Sequence, residues 1–124
     1  MAELKPGASL INAQERHKRS PKTFTVPSTR RLSRIARDMY VKIGIEHQHG
    51  LGERFWVIVK RHNYKEGYLI GEVNNDLVDT ELHGVKYRDI LRFTLENVMD
   101  IMTDKDFSEQ LARMRAKADM EHVS

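Results

Sequence analysis

Between Glu15 and Arg37 the chain sets Arg16, Lys18, Arg19, Lys22, Arg30, Arg31, Arg34 and Arg37 against Glu15 alone, a local charge of +7. Each Lys or Arg placed on a phosphate releases a condensed counterion, so the chemistry this pattern suits is salt-dependent nucleic-acid binding. The same pattern also reads as a solvated helix face, or as an arm docking on an acidic protein. On the nucleic-acid reading the contacts come from Arg30, Arg31, Arg34 and Arg37, assisted by Lys18 and Arg19, with Trp56 on the body of the protein.

Six histidines raise a metal reading. His47 and His49 share one side of an extended segment and, with His62 or Glu53, make a three-ligand set of zinc type. Exposed turn histidines beside Gln48 and Gly50 are the simpler reading, because no H-E-x-x-H or comparable spacing occurs. The chain has no cysteine, no G-x-S-x-G elbow and no glycine-rich phosphate loop. The carboxylate pairs Asp76 with Asp79 and Glu96 with Asp100 read as solvated turn groups. The expectation is a protein that is not an enzyme and needs no cofactor.

The elements that must position these groups fit a chain of 124 residues, enough for one domain and one core. Residues 1–14 are neutral and residues 38–124 are mildly acidic, so a basic segment is joined to an acidic body. Residues 1–10 carry Glu3 and Lys5 and no hydrophobic stretch, which predicts no secretory signal and a cytoplasmic protein without membrane contact.

Residues 1–22 show no sustained apolar periodicity and read as a basic, flexible N-terminal arm. Residues 23–102 read as a helix followed by the core, with Phe24 anchoring the arm. Ser28 is a candidate N-cap for a helix of two to three turns. The period then changes to two. Val41, Ile43 and Ile45 alternate with polar residues, residues 55–61 and 68–73 form a hairpin, and shorter strands are expected at 77–82, 89–95 and 98–102. Phe93 and one of Phe55 or Trp56 belong to the core; the other, with Tyr40 and Tyr68, reads first as structural packing and otherwise as paving of an exposed barrel face. Residues 103–124 read as a C-terminal helix and tail. Thr103 and Asp106 form its capping box, and Phe107, Leu111, Met114 and Ala118 form its apolar stripe, with Met120 beyond.

Four short blocks carry a family resemblance: Gly52-Glu53-Arg54-Phe55-Trp56-Val57, Gly71-Glu72-Val73-Asn74-Asn75-Asp76, His83-Gly84-Val85-Lys86-Tyr87-Arg88-Asp89 and Glu96-Asn97-Val98-Met99-Asp100-Ile101. Over residues 21–102 the chain resembles the YegJ-like domains of bacteria and their phages, a family of unknown function. The resemblance implies a small barrel-containing fold and no particular activity. The chain departs from the pattern where Ala36-Arg37-Asp38 and Arg88-Asp89 replace glycine-containing turns, which alters turn geometry.

The expected fold is α+β: a small SH3-like β-barrel or strongly curved antiparallel sheet, with a short N-terminal helix and a C-terminal amphipathic helix. The expected function is a non-catalytic binding or regulatory module of phage or mobile-element type, engaging a nucleic acid or nucleoprotein. The alternatives are an adaptor or inhibitor docking on an acidic protein, and a His-based metalloenzyme. The C-terminal helix is expected to pack on the barrel, with a homodimer through it as the alternative.

Overall fold

The computed structural model describes residues 1–50 and 52–122. Its core is made by the period-two residues. In β2 (Tyr40–His47) Val41, Ile43 and Ile45 point inward, and in β3 (Gly52–Asn63) Phe55, Val57 and Val59 do the same. They meet Leu69 and Val73 of β4 (Tyr68–Val73) and Leu91 and Phe93 of β5 (Ile90–Phe93). Gly71 of β4 is required by this packing, since a Cβ there would sit 3.0 Å from both Val57 and Phe93.

The protein is α+β, with a curled antiparallel sheet shaped as a half-barrel. Strands β2, β3, β4 and β5 run in order, each antiparallel to the next. A bulge between Val59 and Arg61 increases the twist of β3 as the sheet curls. The free edge of β2 takes two short strands end to end. β1 (Ala8–Leu10) pairs with its Ile45–His47 end, and β6 (Asp100–Met102) pairs with its Tyr40–Lys42 end.

Residues 1–22 depart from the arm that the sequence predicts. Ala2 donates to the Ile90 carbonyl (2.8 Å) and Lys5 to the His83 carbonyl (2.9 Å), so the first residues cross from β5 to β1 and span the open side of the half-barrel. Ala2, Leu4, Ala8 and Leu10 pack against the main core. The segment then forms α1 (Ala13–Arg19). Its lack of periodicity has a physical cause: a three-residue strand is specified by the β2 edge that receives it, not by its own pattern.

Ser28 caps α2 (Thr29–Leu32) as expected, its hydroxyl accepting from the Arg31 amide at 3.2 Å. The helix is one turn rather than two or three, because the chain bends to bury Ile35. The strand expected at 77–82 is instead the single turn α3 (Thr80–His83), closed by Gly84 at φ 87°. A 3-10 turn (Leu95–Asn97) leads to β6, and α4 (Asp104–His122) follows. The capping box of α4 is present, with Asp106 and Thr103 exchanging hydrogen bonds of 3.2 and 3.1 Å. No helix among the described residues is long and apolar enough to cross a membrane.

Asp38 (φ 71°) and Arg88 (φ 72°) hold left-handed backbone without being glycine. The Arg88 side chain reaches Glu72 only at 3.4 Å while 74% exposed. Left-handed backbone costs an L-residue about 1–2 kcal/mol, and the exposed ion pair returns little of it. Arg88→Gly is therefore expected to raise stability by about 0.5–1 kcal/mol, read as a higher urea midpoint at unchanged slope.

Candidate functional site

The basic segment begins on α1, and β2 decides where that helix lies. Asn12 caps it by accepting from the Glu15 amide (3.1 Å), and Asn97 holds the Ile11 carbonyl (3.0 Å). Ile11 then rests on Gly44, on the outer face of the sheet, where a Cβ would come within 2.7 Å of the Ile11 Cδ1 and 2.9 Å of the Met99 Cε. Ile11, Ala13 and Met99 form a second small core there, with Phe24 and Val26 packed against it. Phe24 thus anchors the segment, as its sequence suggests. The His17 Nδ1 lies 2.8 Å from the Phe24 carbonyl and ties the returning chain to the helix.

This packing brings Arg16, Arg19 and Arg54 around the Phe24 ring. The guanidinium carbons of Arg16 and Arg54 lie 6.0 and 5.3 Å from its centroid, a cation–π arrangement on both. Arg16 also pairs with Glu46. A cleft of about 630 Å³ opens between them, lined by Arg16, Arg19, Phe24, Glu46 and Arg54. Two smaller clefts adjoin it at Arg54, one of about 480 Å³ toward His47 and one of about 170 Å³ toward Lys42. Since Arg16 and Glu46 offset each other, the principal cleft carries the uncompensated charge of Arg19 and Arg54.

Lys18, Arg19, Arg30, Arg34 and Arg37 are exposed and form no ion pair among the described residues. Arg31 differs, because its guanidinium donates to the Ile101 carbonyl (3.2 Å) and ties α2 to β6. The α2 arginines do not line the Phe24 cleft. Arg54 is the cation that sequence reasoning missed; the period-two pattern of β3 had already set it on the same face as Trp56.

No family model, curated protein or solved structure matches this chain.

Of the two adjacent aromatics in β3, Phe55 is buried in the core (1% exposed) and Trp56 faces outward. Trp56 is opposite Lys42, whose ammonium lies 5.7 Å from the indole centroid. On the same face Arg92 of β5 lies 3.9 Å from the ring of Tyr68 on β4. Tyr40 is a diagonal neighbour of Trp56, paired with Ile58.

The metal reading is not assembled. His47 and His49 stack at 4.9 Å, but His62 is engaged with the Ile35 carbonyl (2.7 Å) and Glu53 with His83. Among the described residues no group of three His, Asp or Glu side chains converges.

The Glu53–His83 pair joins residues 30 apart and is nearly enclosed, with side-chain exposures of 9% and 3%. The Val85 amide donates to the His83 Nδ1 (3.1 Å), which fixes the tautomer; the Nε2–H then donates to the Glu53 carboxylate (3.0 Å). Glu53 also accepts from the amides of Val78 (2.6 Å) and Asp79 (3.2 Å). Burial pushes the Glu53 carboxyl up, but the bonds from His83, Val78 and Asp79 outweigh it and hold the group below its ordinary value. Both ring nitrogens are occupied and the imidazole is shut off from solvent, so the pair is a latch rather than an acid–base catalyst. The 30-residue separation of Glu53 and His83 leaves no local sequence signal for the pair.

Proposed function

We propose that this chain is a non-catalytic binding module that engages nucleic acid through the basic N-terminal segment and the cleft beneath α1. One observation carries the reading: Arg19 and Arg54 line the Phe24 cleft without an ion-pair partner among the described residues, next to the exposed Lys18 of α1, while Arg30, Arg34 and Arg37 add exposed charge elsewhere on the surface. Guanidinium groups over an aromatic ring, in a cleft of net positive charge, are suited to phosphate and base contacts. Arg19→Ala and Arg54→Ala are each expected to weaken binding and to lower the slope of log affinity against log salt by about 1. Gel shift over a salt series checks this. A variant whose slope equals that of the parent removes its residue from the interface.

A second surface is favoured by α4, whose Leu111 and Met114 are 40% and 61% exposed. The side chains of Phe107, Ala118 and Met120 lie outside the described residues. We infer self-association through this helix, expected as a dimer by light scattering at high micromolar concentration; a monomer there counts against it.

A further inference from the structure

We propose that the nucleic acid bound is single-stranded, with its bases stacked on the outer face of the sheet over Trp56 and Tyr68. This rests on the nucleic-acid reading above and goes beyond it in assigning the strandedness and the platform.

Alternation along the strands puts one set of residues outward. Trp56 and Ile58 of β3, Tyr68 and Ile70 of β4 and Ile90 of β5 form a half-exposed apolar floor across three strands. Cross-strand registers place Glu72 between Ile58 and Ile90, and Ile70 between Arg61 and Arg92, so apolar and charged residues alternate across this face. Around it stand Lys42, Arg54, Lys60, Arg88 and Arg92, against Glu72 and Asp100. Glu72 is shared by Lys60 (3.3 Å) and Arg88 (3.4 Å), leaving the face cationic.

The occupant follows from that combination. Lys42 stands 5.7 Å from the Trp56 centroid, where it can meet the phosphate of a base at that ring, while the Arg92 guanidinium lies on the Tyr68 ring at 3.9 Å and itself offers a plane on which a base stacks. A duplex keeps its bases stacked on one another and shows this face only phosphates, leaving the aromatic residues idle. Splayed bases of a single strand use ring and cation together, and an open sheet with outward aromatics is a recurring platform for them.

The chain contains one tryptophan, and it lies in the proposed platform, so its fluorescence reports directly on stacking. Titration of the full chain with an oligothymidylate of about 16 nucleotides is expected to quench Trp56 saturably. Binding should be tighter than to a duplex of equal length at the same salt. By anisotropy of labelled DNA, Trp56→Leu is expected to lose at least about tenfold on the single strand and little on the duplex. Tyr68→Leu should behave alike, and the quenching of the parent protein stands whether or not a variant folds. Equal affinity for duplex with unquenched Trp56 overturns the single-strand inference and leaves the charge-based reading standing. Binding of neither polymer at low salt overturns both.

Discussion

Deleting residues 1–12 is expected to unfold the domain, not to trim a tail. The deletion removes Ile11, which is 2% exposed on Gly44, and Leu4 and Leu10, which pack on the main core. It also strips β1 from the edge of β2 and the bonds to Ile90 and His83 that span the open side of the sheet. Loss of one buried isoleucine costs about 2–5 kcal/mol, and each half-buried leucine adds about 1 kcal/mol. The total is about 4–7 kcal/mol, which is comparable with the whole stability of a small domain. Far-UV circular dichroism of the truncated chain should show loss of cooperative thermal unfolding. A truncated chain whose midpoint stays within about 1 kcal/mol of the parent would restore the flexible-arm description. The milder Ile11→Ala should fold with a loss of about 2–3 kcal/mol and detach α1 from Gly44.

Glu53→Ala is expected to cost about 3–5 kcal/mol, because it leaves three donors, the Val78 and Asp79 amides and the His83 Nε2–H, without their acceptor. His83→Ala removes one bond from a carboxylate that keeps its two amides, but it also takes the acceptor from the buried Val85 amide and leaves a cavity, so its cost should be comparable. The double variant should fall short of the sum of the two, since both remove the same bond. Acid titration provides an independent check. The native carboxyl of Glu53 lies below its ordinary value of 4.5, so its contribution is present above that pH and is lost as the pH falls through the native value. Glu72, held down mainly by Lys60, and Asp106, held down mainly by the Thr103 amide, act in the same direction. The parent should therefore lose stability below about pH 4.5, and Glu53→Ala should lose less over that interval. A parallel loss in both proteins contradicts the latch.

These two sites also show where a sequence is readable. Strands β2, β3 and β4 are legible because burial of one face imposes a period of two that each segment carries within itself. Ser28 and the Thr103–Asp106 box are legible because a cap acts over three residues. The choice of Phe55 for the core left Trp56 outside, a parity that the pattern left open between the two. By contrast β1 and α3 take their form from partners distant in sequence. Glu53 grips the amides of Val78 and Asp79, so the stretch that reads as a strand cannot enter a ladder and turns into α3. The interface divides in the same way. The charge of the basic segment was evident from composition, but the withdrawal of Arg16 by Glu46 and of Arg31 by the Ile101 carbonyl was not. Nor was the recruitment of Arg54, which required knowing that Gly44 admits Ile11 and so brings α1 over β3.

Reversal of the cleft's charge follows from the same geometry. Arg19→Glu with Arg54→Glu should weaken binding well beyond the two alanine substitutions, at a cost in stability of about 1 kcal/mol from the lost Arg54–Phe24 contact.

The most direct measurement is the affinity of the full chain for a labelled oligonucleotide, by anisotropy, from about 50 mM to about 200 mM salt. Engagement of about five phosphates by the unpaired cations gives a log–log slope of about −4, a loss of roughly a hundredfold or more over that range. Binding that is absent at the lowest salt, or that does not change across the series, contradicts a nucleic-acid interface built on this charge.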